Sequence, residues 1–162
     1  MFADGSEGAA LHATVAKRPY DLLISQKLPS AFTDTGLDQW LRERQVETVT
    51  IAGYMTQNCD ESTARDAVHR GYGVEFLSDA PGTLQLENGA GSVDARTLHD
   101  AVLVVLQSRF AAVMTTDQWC RALETGPAAG AVRPDAAGPS GIHASTSAAR
   151  GRKHAHRGRG RE

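Results

Sequence analysis

The chain has 162 residues, 41% apolar and 22% charged, which suits one soluble globular domain with a real core. No stretch approaches the ~20 consecutive apolar residues of a membrane span, and the polar start Met1-Phe2-Ala3-Asp4-Gly5-Ser6 lacks the pattern of a secretory leader. The formal net charge of −2 conceals a split: residues 150–162 carry six basic residues and one acid, whereas residues 1–149 hold 11 basic and 18 acidic residues.

In chain order, Tyr20-Asp21-Leu22-Leu23-Ile24-Ser25 reads as a short buried strand. Thr33 or Thr35 can cap a helix to about Arg44 whose inner face carries Leu37, Trp40 and Leu41. Val46 to Ala52 is a mostly β-branched strand closed by Gly53, and a helix from about Asp60 to Arg70 follows. In that helix Glu61 and Arg65 are spaced i,i+4, and Gly71 stands where a C-cap is wanted. Gly73 to Leu77 is a third strand, ended by Ser78-Asp79-Ala80-Pro81-Gly82. Ser92 caps a helix with the apolar stripe Leu98, Ala101, Val102, Val105 and Leu106, and Ala111 to Met114 is a fourth strand.

Short apolar strands alternating with amphipathic helices predict an α/β fold with a parallel sheet, of Rossmann-like three-layer α/β/α type. The domain is expected over residues 1–124. From 125 to 162 the composition turns to Gly, Ala, Pro, Ser and Arg, which predicts a disordered tail, basic at its end. That tail holds His154, His156 and an Arg/Gly run. Without aromatic residues to stack on bases, it argues for a solvated segment rather than a specific nucleic-acid site.

Ligands of parallel sheets sit at the carboxyl ends of the strands. Two chemistry-bearing residues follow such ends: Lys27 after Ile24, and Cys59 after the strand ending near Ala52. A cysteine where a helix begins meets unpaired N–H groups and a dipole that favour the thiolate, and a nearby ammonium acts in the same sense. Two widely separated cysteines form no disulfide framework, so a reducing, cytoplasmic setting is the default. His12, His69 and His99 are isolated from one another and read as surface or helix-end residues. Cys120 reads as a second, inert thiol, and Asp79 as a turn former.

Several ordered blocks carry a resemblance: Lys27 with Ser30-Ala31-Phe32 and Thr35-Gly36-Leu37; Gly53-Tyr54-Met55-Thr56-Gln57-Asn58-Cys59; Thr63-Ala64-Arg65-Asp66-Ala67; Gly71-Tyr72; Asp79-Ala80; and Phe110 to Thr116. Together they resemble the isochorismatase-like cysteine hydrolases, a family that includes nicotinamidases and N-carbamoylsarcosine amidases, over about Phe2 to Trp119.

The resemblance implies Cys59 as nucleophile and Lys27 as its lysine partner. It also implies a cis peptide at Tyr54–Met55 and an oxyanion hole from the N–H groups of Met55 and Cys59. Phe32 and Tyr54 are then candidates to line the pocket for a small-molecule substrate, with aromatic core filling as the equal alternative. The implied reaction is hydrolysis of a small amide through an acyl-enzyme, by subunits that commonly form homo-oligomers. No metal or cofactor is assigned. Two departures stand out: Asp60 where the family usually has a small apolar residue, and no apolar run ending in aspartate before Lys27. The chain is therefore expected to begin after the family's first two strands, without the triad aspartate. The alternative reading is a non-catalytic fragment or pseudoenzyme that packs against a homologous or partner subunit.

Overall fold

A computed structural model of the chain describes residues 5–125. The tail expected beyond residue 125 lies outside the described residues.

A one-turn helix α1 (Ala13–Ala16) precedes a long irregular stretch. Then come α2 (Leu37–Glu43), β1 (Thr48–Ile51), α3 (Glu61–His69) and β2 (Gly73–Leu77). A hairpin of β3 (Leu86–Asn88) and β4 (Gly91–Val93) leads into α4 (Ala95–Arg109), β5 (Ala112–Met114) and α5 (Thr116–Thr125). The main sheet has the order β1-β2-β5 and is parallel throughout, with Thr48 opposite Gly73, Ile51 opposite Phe76, and Leu77 opposite Met114. The fold is α/β with a parallel sheet.

All five residues of β2 are buried, because it is the middle strand of the described sheet and is covered on both faces. One face supplies Val74 and Phe76, both 0% exposed, to a core with Ala64 and Ala67 of α3, Val102 and Leu106 of α4, and Phe32 and Tyr72. Burying side chains of this size contributes roughly 1.5–3 kcal/mol each. On the other face lies Glu75, 6% exposed. Its Oε2 accepts hydrogen bonds from Thr50 Oγ1 on β1 and from Trp119 Nε1 on α5, both at 2.8 Å. A buried carboxylate is thereby used to fasten α5 across the sheet.

Local chemistry explains most boundaries. Gly71 has φ +91°, a left-handed conformation that glycine adopts without steric cost at the end of a helix. The Glu61–Arg65 pair forms at 2.6 Å. Thr35 Oγ1 accepts from Leu37 N–H at 3.3 Å, although Gly36 occupies the cap position itself.

Three expectations need correction. Tyr20–Ser25 forms no strand: among the described residues no neighbour supplies a ladder, and Tyr20, Leu22 and Leu23 are 57%, 37% and 57% exposed. The cap of α4 is Asp94, whose Oδ1 accepts from Thr97 N–H at 2.9 Å, because Ser92 is taken up in β4. On α4, Val105 is 43% exposed, so the buried stripe is narrower than its apolar residues suggested. After Met114 the chain forms α5. Asp79 accepts from both Thr116 N–H and Thr116 Oγ1 at 2.8 Å where that helix begins. Those two bonds hold the Asp79 carboxyl below its usual pKa.

Candidate active site

Between β1 and α3 the chain makes one widened, π-type turn, Thr56–Asp60, that contains Cys59. The peptide bond Tyr54–Met55, just before it, is cis. Met55 O accepts from Asn58 N–H at 3.0 Å and from Asp60 N–H at 3.3 Å, while Glu61 N–H donates to Asn58 O and Thr56 O. Turns of this type recur at functional sites because they displace a side chain from the regular helical path. Cys59 is half-buried and not in a disulfide.

Three contacts hold the turn from outside. Thr56, 0% exposed, donates its N–H to Gly82 O at 2.8 Å, and its Oγ1 lies 3.0 Å from the same oxygen. Thr56 Oγ1 also lies 2.9 Å from His99 Nδ1, and His99 Nε2 is 3.0 Å from Ser78 O. Thr83 Oγ1 donates to Gln57 Oε1 at 2.5 Å. The loop leaving β2 and one turn of α4 therefore brace the cysteine turn.

Asp60 follows the cysteine and is 5% exposed. It makes no capping bond at the start of α3. Its carboxyl instead lies on the end of β1, where a Cβ added to Gly53 would stand 2.5 Å from Oδ1. Oδ2 has no hydrogen-bond partner among the described residues, and burial pushes the Asp60 pKa up to about 6. Gly53 is thus required by close approach rather than by a turn.

The other candidates fall in different places. Lys27 is exposed, on the segment leading to Ser30. That segment is docked on α3: Ser30 Oγ donates to Asp66 Oδ2 at 2.7 Å, and Ala31 N–H donates to Thr63 Oγ1 at 3.0 Å. Among the described residues, no hydrogen bond joins Lys27 to Cys59. Phe32 is 3% exposed and stacked on Tyr72 with ring centroids 5.8 Å apart, so it fills the core. Tyr54 is 53% exposed beside the cis peptide. Cys120 is exposed on α5.

His12 caps α1, accepting from Thr14 N–H at 3.3 Å, and His69 meets Phe110 edge-on. His99 was misjudged: it is no isolated surface residue but part of the brace on the cysteine turn. A signal was present, since His99, Val102 and Leu106 share i, i+3, i+7 spacing on one face. Among the described residues no group of three His, Cys, Asp or Glu side chains could hold a metal, and no helix is long and apolar enough to cross a membrane.

Residues 1–118 match the family model described as the isochorismatase domain. The chain belongs to the isochorismatase family. A crystal structure from Burkholderia xenovorans LB400, put forward as an isochorismatase, is 52% identical with a TM-score of 0.77, covering 78% of this chain and 61% of that one. A cysteine hydrolase from Pseudomonas syringae pv. phaseolicola 1448A is 32% identical with a TM-score of 0.72, over 76% of this chain and 58% of that one. Nicotinamidase 3 of Arabidopsis thaliana is 34% identical over 103 residues, covering 64% of this chain and 47% of that protein. In each case this chain spans less than two thirds of the relative's own length.

Proposed function

We propose that this isochorismatase-family chain contributes the nucleophile half of a cysteine-dependent hydrolase acting on the C–N bond of a small amide. The observation that carries the reading is Cys59 itself, presented by a braced turn at the start of α3 directly after a cis peptide. Relatives named as a cysteine hydrolase and as a nicotinamidase supply the reaction type and the substrate class.

In this reading the Cys59 thiolate attacks the amide carbonyl. The S–C bond forms, the oxyanion is received by the N–H groups of Met55 and Cys59, and the C–N bond breaks as the amine leaves with a proton. Water then cleaves the thioester to the acid and restores the thiol. Each oxyanion donor is worth ~3 kcal/mol of transition-state stabilisation. Lys27 is the positive charge that the reading assigns to the cysteine. The reading also requires a carboxylate that takes and returns the proton; among the described residues none is hydrogen-bonded to Cys59 or Lys27. Tyr54, exposed beside the cysteine turn, is the aromatic group that the reading assigns to substrate contact.

The test is incubation of the full chain with nicotinamide and a panel of small primary amides, followed by ammonia release and intact mass. Acyl-adduct mass on the parent, lost in Cys59→Ala, supports the reading. A chain that takes up no acyl group from any amide overturns it.

A second reading has its own observation. Tyr20, Leu22 and Leu23 are exposed in an irregular segment, and among the described residues the outer edge of β1 has no ladder partner. A chain that completes this sheet by packing against a homologous subunit would be non-catalytic by itself. Sedimentation separates the two: a monomer that acylates supports the first, and an obligate, unreactive assembly supports the second.

A further inference from the structure

We propose that His99, acting through Thr56, is a positioning residue for the Cys59 turn, and that its clamp stays hydrogen-bonded in both charge states of the imidazole. The inference rests on the reading of Cys59 as the nucleophile.

The proton inventory is short. Ser78 O is a carbonyl and can only accept, so His99 Nε2 must carry a hydrogen across the 3.0 Å contact. In the neutral ring Nδ1 is then bare, and at 2.9 Å it accepts the Thr56 hydroxyl proton. Gly82 O is still served by Thr56 N–H at 2.8 Å. In the cationic ring Nδ1–H donates to Thr56 Oγ1, and the hydroxyl proton turns to Gly82 O at 3.0 Å. One hydroxyl hydrogen rotates and no heavy atom moves. No buried polar group is stranded in either state, so the penalty that an unmet buried hydroxyl would impose never arises.

The surroundings leave this arrangement undisturbed. On α4 itself Arg96 and Asp100 pair with each other at 2.7 Å and Arg109 stands in the last turn, while Asp79, next to Ser78, is taken up by Thr116. The titratable side chains on elements packed against α4 are Cys59 and Asp60 of the turn and Glu61, Arg65, Asp66 and His69 of α3, while β5 carries none. Arg65 is held by Glu61, and Asp66 by Ser30 and Arg70. None of them takes a ring nitrogen of His99, because both nitrogens are engaged.

The consequence is mechanical. Thr56 begins the turn and Cys59 lies three residues later, so fixing Thr56 to the β2 exit and α4 fixes where the cysteine stands relative to the N–H groups at the start of α3. Releasing it lets the sulfur drift from the N–H groups at the start of α3.

The experiment uses the full chain carrying Cys120→Ser, so that Cys59 is the thiol observed, and measures alkylation by iodoacetamide at pH 7.0 and pH 9.5. His99→Gln keeps a donor that can reach Ser78 O but offers no acceptor at the Nδ1 position, and Thr56→Val removes the hydroxyl at constant shape. Each is expected to slow alkylation about tenfold at pH 7.0 and less than twofold at pH 9.5, where thiolate is abundant without help. Thr56→Ser is expected to behave as the parent.

Equal slowing at both pH values would mean altered access rather than lost positioning, and would overturn the proposal. So would variants that melt earlier yet alkylate as the parent does. If Cys59 in the parent reacts no faster than free cysteine at pH 7.0, the nucleophile reading fails and this one with it. A measurement without variants guards against misfolding: imidazole nitrogen shifts of the parent should report the Nε2–H form at high pH, and an Nδ1–H form would overturn the clamp.

Discussion

The turn around Cys59 and the segment around Lys27 both carry family-like residues, yet they are built differently. Thr56 has 0% exposure and bonds to Gly82 and His99, so the cysteine turn is fixed by partners far away in the chain. Among the described residues the Lys27 segment is tied to α3 at its downstream end, by Ser30 and Ala31, while Tyr20 to Leu23 stand exposed without a ladder. The difference teaches that motif residues become geometry only where the elements they pack against are also at hand.

The sharpest way to break the comparison is Cys59→Ala. It should abolish covalent capture of any thiol-directed acyl donor, read by intact mass, whereas Lys27→Ala should slow capture without abolishing it. A large effect on stability is next. Phe76→Ala should cost about 3–5 kcal/mol in urea unfolding, because Phe76 is 0% exposed at the centre of the core. By contrast Leu23→Ala, at 57% exposure, should stay within about 0.5 kcal/mol.

Asp60 offers a test with a sign. Its folded pKa of about 6 lies above the ordinary 3.8, so the folded state holds the proton more tightly than the unfolded chain. Its contribution is therefore most favourable below about pH 4 and declines as the pH rises to about 6. Asp60→Asn should stabilise the protein by about 1–2 kcal/mol at pH 8 and flatten stability between pH 4 and 6. Chemical denaturation at three pH values would check both. Gly53→Ala should destabilise by about 1–3 kcal/mol through its clash with the same carboxyl, and less so once Asp60 is replaced by Ala. A modest effect is expected for Ser30→Ala, about 1 kcal/mol, read best as faster proteolysis upstream of Ser30.

Much of the fold was legible because it is local. The β-branched runs of β1 and β2, the amphipathic spacing of α3, and the glycine with positive φ at Gly71 each announce themselves within a few residues. The failures were non-local. Tyr20–Ser25 has strand composition, but a strand also needs a neighbour, which composition does not provide. The hairpin of Leu86–Asn88 and Gly91–Val93 hid behind Ser92 and Asp94, two good caps of which only the second is used. The Cys59 candidate rests on its own neighbourhood in the sequence, whereas His99 bonds to a threonine 43 residues away and Asp60 buries its carboxyl against a glycine seven residues back. Such partners are set by the closed fold, and no short window contains them.

The bond from Trp119 to Glu75 has a spectroscopic consequence. The chain has two tryptophans, and they sit in contrasting environments: Trp40 lies under the Arg44 guanidinium at 4.0 Å, while Trp119 gives its indole hydrogen to a buried carboxylate on β2. Emission from Trp119 therefore reports, without any label, whether the last helix is seated on the sheet, and a Trp40→Phe variant would isolate that signal.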